Sequence, residues 1–108
     1  PVDAALRAAF WKGLYLTEAD LRQVAEELRR SPDLQIGIVG HTDNTGSAAH
    51  NVVLGMNRAH YLASLLYKMG ARKEQLRLVT RGQEQPIADN GTDEGRALNR
   101  RAELTLEF

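Results

Sequence analysis

The chain has 108 residues, 43% apolar and 26% charged, which is enough for one hydrophobic core and leaves little room for extended disorder. Lysine plus arginine number 14 and aspartate plus glutamate also 14, so no net field draws the protein to nucleic acid or to an anionic membrane surface. With no cysteine there is no disulfide framework, thiolate nucleophile or cysteine-based zinc site, and no apolar run approaches the roughly 18 residues of a membrane span.

A single domain over residues 1–108 is expected, with 1–15 as an atypical N-terminal segment. No signal peptide is visible and the chain opens at Pro1, as a fragment with its targeting segment upstream would. Phe10 and Trp11 among small residues, closed by Gly13, read as a weak first strand. From Leu16 onward Leu21, Val24, Ala25 and Leu28 recur at helical spacing, with Arg22, Glu26, Glu27 and Arg29 opposite. Thr17 is the expected N-cap, and Glu18 and Asp20 place negative charge at the positive end of the helix dipole. Ser31-Pro32-Asp33 stops this helix.

Leu34, Ile36 and Ile38 then alternate with polar or small residues up to Gly40, which is strand periodicity. Residues 41–46 form a polar loop, and Ser47 is the expected N-cap of a second helix over about 48–69. Its apolar stripe carries Leu54, Tyr61, Leu62, Leu65, Leu66 and Met69, and Gly70 stops it. Leu76 to Thr80 reads as a strand, residues 82–95 as a turn-rich segment around Pro86 and Asn90-Gly91. Ala102, Leu104, Leu106 and Phe108 alternate with Glu103, Thr105 and Glu107 as a half-buried last strand. The order (β)αβαββ predicts an α/β (α+β) two-layer sandwich, a mixed sheet packed on two main helices.

One residue breaks the pattern. Arg58 falls on the stripe of Leu54, Tyr61, Leu62, Leu65 and Met69, as does Asn51. A buried guanidinium costs several kcal/mol unless paired, and it is not neutralised at ordinary pH. Arg58 therefore needs an anion: an internal carboxylate such as Asp43, or one brought by a ligand. If Asp43 and Arg58 keep valences free, a ligand carrying an ammonium and a carboxylate can bridge them, and amides at the entry to the second helix add donors. That arrangement suits an amino-acid zwitterion.

Other chemistries are less well supplied. His41, His50 and His60 lack a ligand spacing for metal. The loop after Gly40 lacks the Gly-Lys-Ser/Thr ending of a phosphate loop. Ser47 has no activating neighbour in the pattern, so a helix cap outweighs a nucleophile. No cofactor and no enzymatic role are expected. Arg96, Arg100 and Arg101 lie close in sequence to Asp89, Asp93 and Glu94, which reads as a solvated, self-paired surface.

Gly40-His41-Thr42-Asp43-Asn44-Thr45-Gly46, then Asn51, Leu54 and Arg58-Ala59, then Pro86 to Asn90 and Gly95 to Arg101 closely resemble the OmpA-like peptidoglycan-binding domain. The resemblance covers residues 16–108. It implies a periplasmic, noncatalytic module of an envelope protein anchored in the outer or inner membrane. Such a module binds the peptide stem of peptidoglycan at diaminopimelate in Gram-negative walls. It further implies that Asp43 and Arg58 answer the ammonium and carboxylate of diaminopimelate, that Thr42, Asn44, Asn51 and Leu54 shape the pocket, and that Arg101 approaches it. A homodimer or envelope-complex partner is compatible with it. The alternative from another class is an OmpA-like scaffold in a secretion or motor complex, with wall binding weak or lost. The N-terminal stretch departs from the family's aromatic-alternating first strand, and Gly55 stands where many OmpA proteins have serine.

Overall fold

The computed structural model describes residues 9–11 and 14–107. The elements are β1 (Ala9–Trp11), β2 (Leu14–Tyr15), α1 (Glu18–Arg30), β3 (Gln35–His41), α2 (Ala48–Lys68), a 3-10 turn (Lys73–Gln75), β4 (Leu76–Gly82), α3 (Asp93–Asn99) and β5 (Ala102–Glu107). The strands form one mixed sheet in the order β2-β1-β5-β3-β4. β3 pairs antiparallel with β5 and parallel with β4, and β1 pairs parallel with β5. This is the expected α+β arrangement with two main helices. It gains a two-residue strand β2 and a helix of about two turns, α3, that begins inside the segment read as turns and runs beyond it. The rest of the first strand read over residues 1–13 lies outside the described residues. Among the described residues no helix is long and apolar enough to cross a membrane.

Local chemistry accounts for the element ends. Thr17 Oγ1 accepts from Asp20 N at 3.1 Å while Thr17 N donates to the Asp20 carboxylate at 2.9 Å, a reciprocal capping box. Ser47 Oγ accepts from His50 N at the start of α2. α1 ends at Ser31, and the buried Gln75 reaches back to its final turn, donating through Nε2 to Leu28 O and Ser31 O. Leu28 O would otherwise lack a donor, since the residue four positions on is Pro32, whereas Ser31 O also accepts from Leu34 N at 2.9 Å.

The core lies between the helices and one sheet face: Leu21, Val24, Ala25 and Leu28 of α1 meet Ile36, Ile38, Leu104 and the buried residues of α2. The buried face of α2 is Asn51, Gly55, Ala59, Leu62, Ala63, Leu65 and Leu66. The stripe is thus centred differently from the expectation: Leu54 and Arg58 lie half-buried on its flank and Tyr61 is exposed. Small residues explain the shift, because they let the helix axis approach the sheet while adding little to a hydrophobicity count. The closest approach is between Gly40 and Gly55. A Cβ on Gly40 would stand 1.6 Å from Gly55 O, and one on Gly55 would stand 2.4 Å from Thr80 Oγ1. Two glycines therefore seat the N-terminal half of α2 directly on the end of β3.

Candidate functional site

The site forms where β3 leaves the sheet and the chain turns into α2, the carboxyl end of a strand in a parallel β3-α2-β4 unit. Such strand ends are the usual position of ligand crevices in α/β units. The register between β3 and β4 shifts at Gly40/His41, so that His41 faces Gly82. Gly82 adopts φ 53°, a left-handed conformation that glycine takes without strain. Thr42 N donates to Gly82 O at 2.9 Å, and the loop of residues 42–46 is aimed over the first turn of α2.

Asp43 is buried, its side chain only 10% exposed. Its Oδ1 accepts from Thr45 N at 2.9 Å and its Oδ2 from Arg100 Nη1 at 2.8 Å. Burial alone would raise the carboxyl, but the Thr45 amide and the Arg100 guanidinium outweigh it and hold it below the usual range. Asn51 is buried on the first turns of α2 and donates through Nδ2 toward Asp43 O, Thr45 O and Gln83 Oε1, the last at 2.7 Å. Three acceptors around one amide nitrogen set the orientation of the side chain and leave Oδ1 as a buried acceptor with no hydrogen-bond partner. Asn51 thereby ties the loop to both α2 and the segment after β4.

Arg58 donates through Nη1 to His41 O at 2.8 Å. Among the described residues no carboxylate lies at ion-pair distance from it. Asp43 is close enough to favour its charge, yet burial first and then the like charge of Arg100 press its pKa downward. The site thus holds one carboxylate and two guanidinium groups, with Asp43 paired to Arg100 and Arg58 answered only by a carbonyl.

Beneath the loop, His41 is 1% exposed. Its Nε2 lies 3.4 Å from Glu103 Oε2 without hydrogen-bond alignment, and Nδ1 has no partner. Burial, with Arg101 next in weight, pushes its pKa down to about 4, so the ring is neutral at pH 7.

The structure brings Thr42, Asp43, Asn51 and Arg58 together around one turn, with Leu54 half-buried on the same helix and Asn44 exposed at the loop tip. Arg101 is different. It is 2% exposed and turned into the protein, donating through Nε to Glu103 Oε1 at 2.7 Å, through Nη2 to Gln85 O at 2.9 Å and through Nη1 toward Asn99 O. Its neighbour Arg100 is the residue that reaches Asp43, 57 positions away in the chain, so the expected self-paired surface cluster holds only for Arg96, which pairs with Asp93. Sequence reading passed over Arg100 and Gln83, because nothing in local periodicity links them to Asp43. Asn99 organises this corner: its Oδ1 accepts from Ile87 N and Ala88 N, and its Nδ2 donates to Ala88 O and Asn90 Oδ1.

A mixed sheet with helices on one face and a charged turn at the carboxyl end of a strand defines a small α+β domain. The chain belongs to the OmpA family, whose profile matches residues 16–100. It is 41% identical over 97 residues to the peptidoglycan-binding protein ArfA of Mycobacterium tuberculosis, a match covering 87% of this chain and 30% of that relative. The chain thus spans less than a third of the relative's length. Its fold is similar to the crystal structure of the peptidoglycan-associated lipoprotein from Burkholderia pseudomallei (TM-score 0.79, 33% identity, 85% of this chain and 80% of that one). It is also similar to the cell wall anchor of the T6SS from Pseudomonas aeruginosa (TM-score 0.65, 31% identity, 84% and 68%).

Proposed function

We propose that this domain binds peptidoglycan noncovalently through the diaminopimelate of the peptide stem, and so anchors a larger envelope protein to the wall from the periplasm. The observation that carries this reading is Arg58: a half-buried guanidinium whose hydrogen bond goes to a carbonyl and which has no carboxylate at ion-pair distance among the described residues. Such a group is most favourably completed by a ligand carboxylate. Asp43, ionised and almost buried, is the complementary acceptor for the ligand ammonium. Amides of the first turn of α2 add donors beside the same carboxylate. Thr42 and Asn51 hold the turn in shape, Asn44 and Leu54 line its rim, and Arg101 supports the floor from inside. The names of the mycobacterial and lipoprotein relatives are consistent with this role, which requires no catalytic group.

A second reading is an OmpA-like assembly scaffold in a secretion or motor complex, and the likeness to a secretion-system wall anchor favours keeping it. Sedimentation with purified sacculi separates the two. Wild type is expected to co-sediment, and Asp43→Ala and Arg58→Ala each to lose at least about tenfold in affinity, the scale of a charge-assisted contact. Folded wild type that stays in the supernatant points to the scaffold, and undiminished sedimentation of both variants refutes the site.

A further inference from the structure

Resting on that reading of the site, we propose that Arg100 is a specificity-determining residue, a displaceable counter-ion that admits to Asp43 only an ammonium accompanied by a carboxylate. The reason lies in the count of charges and the two exposures. Both oxygens of Asp43 are engaged, Oδ1 by Thr45 N and Oδ2 by Arg100 Nη1. The Arg100 side chain is 43% exposed against 10% for Asp43, so its guanidinium covers the carboxylate from the solvent side and can swing away. With one partner half-exposed and the carboxylate still held by the Thr45 amide, this pair opens at less cost than a fully buried one.

A simple amine that displaced Arg100 would leave two guanidinium groups, Arg58 and Arg100, close together with no new anion. A zwitterion leaves a different balance: its ammonium takes the place of Arg100 on Asp43, and its carboxylate receives Arg58 and lies within the field of the released Arg100. A zwitterion thus leaves the net charge of the site unchanged, whereas a simple amine raises it by one. The chemistry separates a diaminopimelate end group, which carries both charges, from a lysine side chain, which carries the ammonium alone. Arg58 recruits the carboxylate, and Arg100 penalises its absence. Arg101, locked to Glu103, Asn99 and Gln85, takes no part in the exchange.

The test compares meso-diaminopimelate with Nα-acetyl-lysine amide, an ammonium without a neighbouring carboxylate, by calorimetric or NMR titration of wild type, Arg100→Gln and Arg100→Lys. Wild type is expected to discriminate strongly. Arg100→Gln is expected to bind the amine at least roughly three- to fivefold more tightly, the size of a surface ion pair being the lower bound for this partly buried one, and to narrow the ratio between the two probes, while Arg100→Lys restores much of it. An unchanged ratio in Arg100→Gln, or a loss of diaminopimelate binding with no gain for the amine, overturns the role given to Arg100 and leaves the site standing. Failure of both wild type and Arg100→Gln to take up diaminopimelate overturns the reading of the site and the role of Arg100 with it.

Discussion

Arg100 and Arg101 are chain neighbours with opposite energetics. Arg101 is buried and bonded to Glu103 and two carbonyls, so truncation strands the Glu103 carboxylate and Gln85 O. Arg101→Ala is expected to cost about 3–5 kcal/mol, and Arg100→Gln clearly less, because Arg100 is half-exposed and Asp43 keeps the Thr45 amide, both read from urea midpoints. His41 supplies the pH dependence at this scale. Its folded pKa of about 4 lies below its ordinary value of 6.5, so the unfolded chain takes up a proton that the native state resists. The stability it contributes is fully present above pH 6.5 and is lost as pH falls toward 4, by at most about 3 kcal/mol. His41→Gln is expected to flatten the urea midpoint across that interval. The depressed Asp43 carboxyl acts in the same sense at lower pH, its contribution being lost as pH falls through its folded pKa.

Between elements, the decisive contact is α2 on the end of β3. Gly40→Ala would drive a methyl into the Gly55 carbonyl, 1.6 Å away, and neither partner is a side chain that can rotate clear. A loss of roughly 3 kcal/mol or more is expected. Circular dichroism melts would register it, together with weakened ligand uptake, since the same contact places Arg58 on His41 O. The Thr17 capping box at the start of α1 is a milder case: Thr17→Ala is expected to cost about 1 kcal/mol and to leave binding unchanged. Both helix caps were legible in sequence because a cap is a local bond between residues three apart. The short helix α3 was not. Its seven residues are stabilised by Asn99 holding residues 87–90, which no periodicity over so short a window can reveal.

At the scale of the molecule, ligand binding and folding are linked. A ligand that fits only the native turn raises stability by RT ln(1 + [L]/Kd), about 2.7 kcal/mol at a hundredfold excess over Kd. For a chain of 108 residues that is a rise in Tm on the order of 10 °C, measurable by differential scanning fluorimetry with diaminopimelate. The increment should shrink with added salt, though less than for an exposed pair.

The sequence by itself determined the two main helices, the three longer strands and the α+β class, and it singled out Asp43 and Arg58 as candidates. Each of these is written in spacing, capping chemistry or a contiguous motif. Only the tertiary structure decided which guanidinium faces which carboxylate. Asp43 and Arg100 are 57 residues apart, and the choice of Arg100 outside and Arg101 inside depends on the direction in which the chain emerges from α3 into β5. The lie of α2 was likewise decided in three dimensions, because Gly55, Ala59 and Ala63 contribute through closeness of approach, a property that hydrophobic periodicity does not weigh.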